Sequence, residues 1–213
     1  MNESSTIVTT LTSYFVDRRL HRLSSSTGLA LPMEFSIDDI AQYESMVAYM
    51  QTHPELYTDI EKSEAYGRLG IVYFYTGQYA PAIHAFEESV GCRFMLKPDK
   101  TIGQIYILLG ISYYRIRNFH LADKYFDQAA NISKVDAVLA SMGLCNSAIT
   151  KYQLKDTKRS FQKANEAVKL MASIDSNQNT EAVSLFRSRV IRNLFLIVFE
   201  YCSSADLSVS EES

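Results

Sequence analysis

Four histidines and three cysteines are the side chains of this 213-residue chain best suited to hold a metal or attack a bond. His21, His53, His84 and His120 stand apart. No two form the i, i+4 pair that puts two ligands on one helix face, and none has a Cys at ligand spacing. Cys92, Cys145 and Cys202 lie more than fifty residues from one another, with no CxxC and no Cys/His cluster, so no metal site is expected. An odd number of thiols at helix-like positions reads as reduced, buried cysteines of a cytoplasmic protein. The carboxylate pairs Asp38-Asp39 and Glu87-Glu88 read as helix-start and solvent-face charges. There is no GxxxxGK[ST] phosphate loop and no GxSxG nucleophile elbow. The chain therefore reads as a non-enzyme without cofactor.

The bulk composition narrows the partners. A net charge of −3 lacks the basic excess of a general nucleic-acid binder. Hydrophobic residues at 47% and charged ones at 21% are those of an ordinary globular protein. The longest apolar run, Leu194 to Phe199, is far shorter than the ~18 residues of a membrane span. Asn-Glu-Ser-Ser-Thr after Met1 has neither the basic nor the apolar region of a secretory signal, so a cytoplasmic location is expected.

What positions side chains in this chain is helical periodicity. Ile7, Val8, Leu11, Phe15 and Leu23 predict an amphipathic helix over 6–23, with Arg18, Arg19 and Arg22 in its last turns. Ser24 to Gly28 ends it, and residues 29–35, with Pro32, read as an extended connector. Ser36 and Asp39 make a cap-like start for a second helix that stops near Thr52, and a third begins at Pro54 or Asp59. Then the chain repeats itself. Tyr66, Leu69-Gly70 and Tyr73 return as Tyr106, Leu109-Gly110 and Tyr113, and Tyr79, Ala82 and Phe86 return as Phe119, Ala122 and Phe126. Gly77 suits a left-handed C-cap, and Asn118, beside Arg117, stands in for it in the second copy.

This order of residues resembles the tetratricopeptide repeat, a helix-turn-helix unit of 34 residues. The first unit is longer, since Tyr66 to Tyr106 spans 40 residues. A third unit is read from Val138, a register that matches Phe161 and Ala164 to the second helix of the family. It puts Cys145 at the glycine, Ala148 at the tyrosine and Thr157 at the small position, with helices over 136–151 and 156–173. The resemblance implies an all-α solenoid of stacked hairpins, a right-handed superhelix of about nine helices in antiparallel pairs. Residues 1–58 form an N-terminal helical segment. The array and a C-terminal capping helix (about 181–202) fill 59–202, and 203–213 form a disordered tail.

In such arrays the first helix of each hairpin lines the concave face. Here that gives Ile71, Phe74, Tyr75, Ile107, Ile111 and Tyr114, with Arg68 and Arg115 placed to pair with acidic groups of a partner. The Lys/Asn/Arg clamp by which some relatives hold a chaperone's C-terminal carboxylate is absent, because Gly67, Ile71 and Leu108 stand at its positions. The implied function is a protein- or peptide-binding module, an adaptor or chaperone. The alternative is a bacterial signalling regulator in which an N-terminal helical bundle precedes a repeat sensor. Helix 6–23 leaves a second choice open: the groove is free for a peptide, or the chain's own helix fills it or packs at the array's end. Six apolar residues in a row turn through about 600° of helix. Leu194, Phe195, Val198 and Phe199 therefore need a second surface, and two-fold pairing into a dimer is expected.

Overall fold

The computed structural model describes residues 37–93, 97, 99–132, 134 and 136–173. The helix expected over 6–23, the capping helix with Leu194, Phe195, Val198 and Phe199, and the tail 203–213 lie outside the described residues. Among those described, the chain forms seven α-helices and no strand. Helix α1 (Ile37–Thr52) leads through a 3-10 turn (Pro54–Leu56) into three hairpins. These are α2 (Asp59–Tyr75) with α3 (Tyr79–Cys92), α4 (Lys100–Arg115) with α5 (Phe119–Ala130), and α6 (Ala137–Gln153) with α7 (Thr157–Ala172). They stack in order, and one apolar core runs from Ile71 through Ile107 and Phe126 to Met171.

Local chemistry starts these helices. Thr58 and Glu61 form a capping box on α2, the Thr58 N–H donating to Glu61 Oε2 at 2.8 Å and the Glu61 N–H to Thr58 Oγ1 at 3.3 Å. Asp99, Asn118, Asp136 and Asp156 cap α4, α5, α6 and α7 by accepting a backbone N–H three residues on. Each hairpin then turns through one left-handed residue: Gly77 at φ 80°, Arg117 at 64° and Lys155 at 64°. The next N–H closes back onto the helix, from Gln78 to the Tyr73 carbonyl (2.8 Å), Asn118 to Tyr113 (2.9 Å) and Asp156 to Lys151 (2.9 Å). In the second turn Arg117, not Asn118, takes the left-handed conformation. Asn118 has φ −84° and serves as the N-cap of α5.

These turns correct the register of the third unit. Lys155 corresponds to Gly77 and Arg117, so the unit starts at Ser141, three residues after Val138. Ala148 then takes the glycine's place, Lys151 the tyrosine's, Ser160 the small position of the second helix and Ala164 the phenylalanine's. Packing agrees: Ser160 Oγ donates to the Ala148 carbonyl at 2.7 Å, where the two helices cross. In the first two hairpins that crossing pairs glycine with a ring. A Cβ on Gly70 would sit 2.6 Å from Phe86 Cδ1, and one on Gly110 2.6 Å from Phe126 Cε1. Phe86 and Phe126 thus lie on the glycine of their own hairpin, and the third unit holds alanine on both sides.

Polar contacts between neighbouring units repeat as well. Tyr113 donates to Glu87 Oε1 at 2.6 Å across α4 and α3. The equivalent Tyr73 donates to Glu44 on α1, and the equivalent Lys151 pairs with Asp123 on α5 at 2.6 Å. Burial, and then the Glu44 carboxylate, push the Tyr73 phenol up to about 12. Helix α1 therefore meets α2 as α3 meets α4. Beside the insertion that lengthens the first unit, the buried Arg93 donates Nε–H to Ser63 Oγ at 2.8 Å and pairs with Asp99. It ties the end of the first hairpin to the start of the second.

Candidate concave-face interaction site

The positions that the repeat pattern assigns to a concave face fall on α2, α4 and α6, and the hairpin turns fix which residue takes each. Ile71 and Phe74 on α2 and Ile107 and Ile111 on α4 are buried, the most exposed of them being Phe74 at 3%. The corrected register adds Met142, Cys145 and Ile149 of α6, which are buried too. Burial pushes the Cys145 thiol far above its ordinary range, so it stays protonated and unreactive. As the protein stands, the aliphatic row is interior.

The other four expected site residues keep surface. Arg68 is exposed and has no ion pair among the described residues, whereas Tyr75, Tyr114 and Arg115 are half-buried. The last three gather with ring neighbours at the turn ends of α2 and α4. Phe74 meets Tyr75 edge-on at 5.4 Å and Tyr79 at 5.8 Å, and Tyr114 meets Phe119 at 5.2 Å. Arg115 lies over the Tyr79 ring at 5.7 Å, so a cation–π contact joins the first two units. Arg68 sits midway along α2, on the rim of a cavity of about 250 Å3 between α1 and α2. Tyr43, Met46 and Met50 of α1 form one wall, and Ala65, Glu61 and Glu64 of α2 the other.

Two features escaped the sequence. The cavity needs α1 to pack on α2, which it does through Val47 and Met50 against Ala65, Tyr66 and Leu69 and through the Tyr73–Glu44 contact across 29 residues. The second is the surroundings of Gln104 on α4, a residue that the repeat register itself counts among the concave positions. Its side chain is buried at 6% exposure, and its Oε1 has no hydrogen-bond partner among the described residues. A buried acceptor left unpaired costs about 1–3 kcal/mol. Among the described residues no three His, Cys, Asp or Glu side chains come together as metal ligands, and no helix is long and apolar enough to cross a membrane.

Comparison with known proteins agrees with this architecture. The tetratricopeptide repeat family model matches residues 63–91 and 103–136. No curated protein matches the chain. Among solved structures, BtubC (BKLC) from P. vanneervenii aligns with a TM-score of 0.64 and 16% identity, covering 91% of this chain and 73% of that one. A putative kinesin light chain with nearly identical TPR-like repeats, from Podosopora anserina, aligns with a TM-score of 0.56 and 12% identity, covering 96% and 99%. At these identities the likeness is one of fold.

Proposed function

We propose that this tetratricopeptide-repeat chain is a protein-interaction module, an adaptor or chaperone, that holds a segment of a partner protein along its concave face. The fold is typically a scaffold without catalysis, and the chemistry of the face suits recognition. The observation that carries the reading is a polar and aromatic rim around an apolar row. Arg68, midway along α2, is exposed and has no ion pair among the described residues, and Tyr75, Tyr114 and Arg115 keep surface at the turn ends of α2 and α4. The buried Gln104 carbonyl, without a hydrogen-bond partner among the described residues, becomes an acceptor for a peptide N–H only where the face opens. A partner meets this rim first. It reaches Ile71, Phe74, Ile107 and Ile111 only if the face opens, and two arginines favour acidic groups on it. The expected setting is the cytoplasm, where Cys92 and Cys145 stay reduced.

The test is capture of the partner from native cells on the tagged chain, then titration of the purified partner. Arg68→Glu with Arg115→Glu should leave the helical circular dichroism unchanged and raise Kd about tenfold, since each exposed pair contributes about 0.2–1 kcal/mol and its reversal adds repulsion. An unchanged Kd would place the partner elsewhere on the protein.

A further inference from the structure

The cavity between α1 and α2 corresponds, position for position, to a place where the repeats seat a helix. Tyr73 and Tyr113 are equivalent, so their acceptors Glu44 and Glu87 make α1 the counterpart of α3, the second helix of a hairpin. The same offset sets Tyr43, Met46 and Met50 of α1 against Phe86 and Ser89 of α3 and its C-cap Arg93. Those three residues are what α2 lies on. A Cβ on Gly70 would meet the Phe86 ring and one on Gly67 would come within 3.3 Å of Ser89 Oγ, while Arg93 Nε donates to Ser63 Oγ at 2.8 Å. On α1 the three counterparts instead line the cavity of about 250 Å3. Nearby Met46 is 43% and Tyr49 52% exposed, high values for large apolar side chains on one helix.

We propose that residues 6–23 dock here as the first helix of a fourth hairpin completed by α1. Chain order supports this occupant, because in all three hairpins the first helix directly precedes the second. Length supports it too: the stretch has eighteen residues, against 17 in α2 and 17 in α6. The thirteen residues 24–36 span up to ~40 Å, ample for the turn. Ile7, Val8, Leu11 and Phe15 supply an apolar stripe for Met46, Met50 and Ala65. Charge agrees as well, since an antiparallel hairpin brings the last turns of one helix beside the first turn of the next. Arg18, Arg19 and Arg22 would stand beside the first turn of α1, which carries Asp38 and Asp39. The inference rests on the repeat packing and is independent of the concave-face partner, although Arg68 borders both.

The test uses the full chain with the photoreactive residue p-benzoylphenylalanine in place of Met46, irradiated and mapped by mass spectrometry. Cross-links should run to residues 6–23 of the same chain, as shown by mixing isotopically light and heavy protein. They should be lost when Leu11→Glu and Phe15→Glu are added. The same probe at Val168 on α7, which is 40% exposed, should give none to 6–23. Three results would each overturn the proposal: mixed-isotope cross-links only, which assign the seat to a second copy; no cross-link from Met46 to 6–23; or cross-links to 6–23 from a probe at Tyr114 and not from Met46, which put the segment on the concave face.

Discussion

Replacing Gly110 by alanine sets two opposing effects against each other inside α4. Alanine is favoured over glycine within a helix by about 1 kcal/mol. The new Cβ would lie 2.6 Å from Phe126 Cε1 and 2.7 Å from Cδ1, far inside normal contact. Phe126 is 1% exposed, so its ring can yield only by disturbing the core, at a cost of about 1–3 kcal/mol. The net should be a loss of up to about 2 kcal/mol. Gly91 on α3 is the control: a Cβ there meets nothing within 4 Å, so Gly91→Ala should gain up to about 1 kcal/mol. A third variant isolates the ring. With Phe126→Ala present, itself costing about 3–5 kcal/mol, Gly110→Ala should turn stabilising, because the third unit already pairs Ala148 with Ala164. Urea denaturation followed by helical circular dichroism reads all of these as midpoints at unchanged m-value. If Gly110→Ala matches or exceeds the wild type while Gly91→Ala behaves as expected, the ring does not require the glycine. Should the Phe126→Ala background prove too unstable to measure, the contrast between Gly110 and Gly91 still decides.

At the hairpin turns, Arg117→Gly and Lys155→Gly should each raise the urea midpoint, by a few tenths to about 1 kcal/mol, because an L-residue pays about 1–2 kcal/mol for the left-handed conformation; a drop at both sites would refute the strain. Burial and then the Glu87 carboxylate raise the Tyr125 phenol to about 12 and push Tyr113 higher still. The folded chain thus holds these protons more tightly than the unfolded one, whose tyrosines ionise near about 10. Stability should be level up to about pH 10 and fall as the pH rises towards the folded values, and Tyr113→Phe should soften that fall; identical pH profiles for the two chains would refute the assignment. Finally, sedimentation at micromolar concentration should give twice 24.2 kDa, with Phe195→Glu shifting it towards monomer; a monomer at every concentration would end the two-fold pairing.

What the sequence determined by itself was whatever a side chain announces at a fixed spacing. Leu69-Gly70 with Ala82 and Leu109-Gly110 with Ala122 mark two hairpins because a small residue on each helix is what a close crossing needs; that the Phe86 and Phe126 rings lie on those glycines came from the packing alone. The helices, their approximate ends and the stacked-hairpin fold follow from the repeated spacing. The third unit was legible as a hairpin but not in register, since Phe161 carries the aromatic letter while the backbone turns at Lys155. A left-handed residue that is not glycine has no signature in the sequence, so only the closed turn from Asp156 to Lys151 fixed the alignment. The role of α1 was hidden for another reason. Its kinship with α3 lies in Glu44 receiving Tyr73 across 29 residues, a pairing that local periodicity does not contain. Burial was decided last. The resemblance assigns Ile71, Phe74, Ile107 and Ile111 to a concave face, yet all four are buried; a repeat position says which side of a helix a residue is on and not what lies over it, which depends on the rest of the tertiary packing.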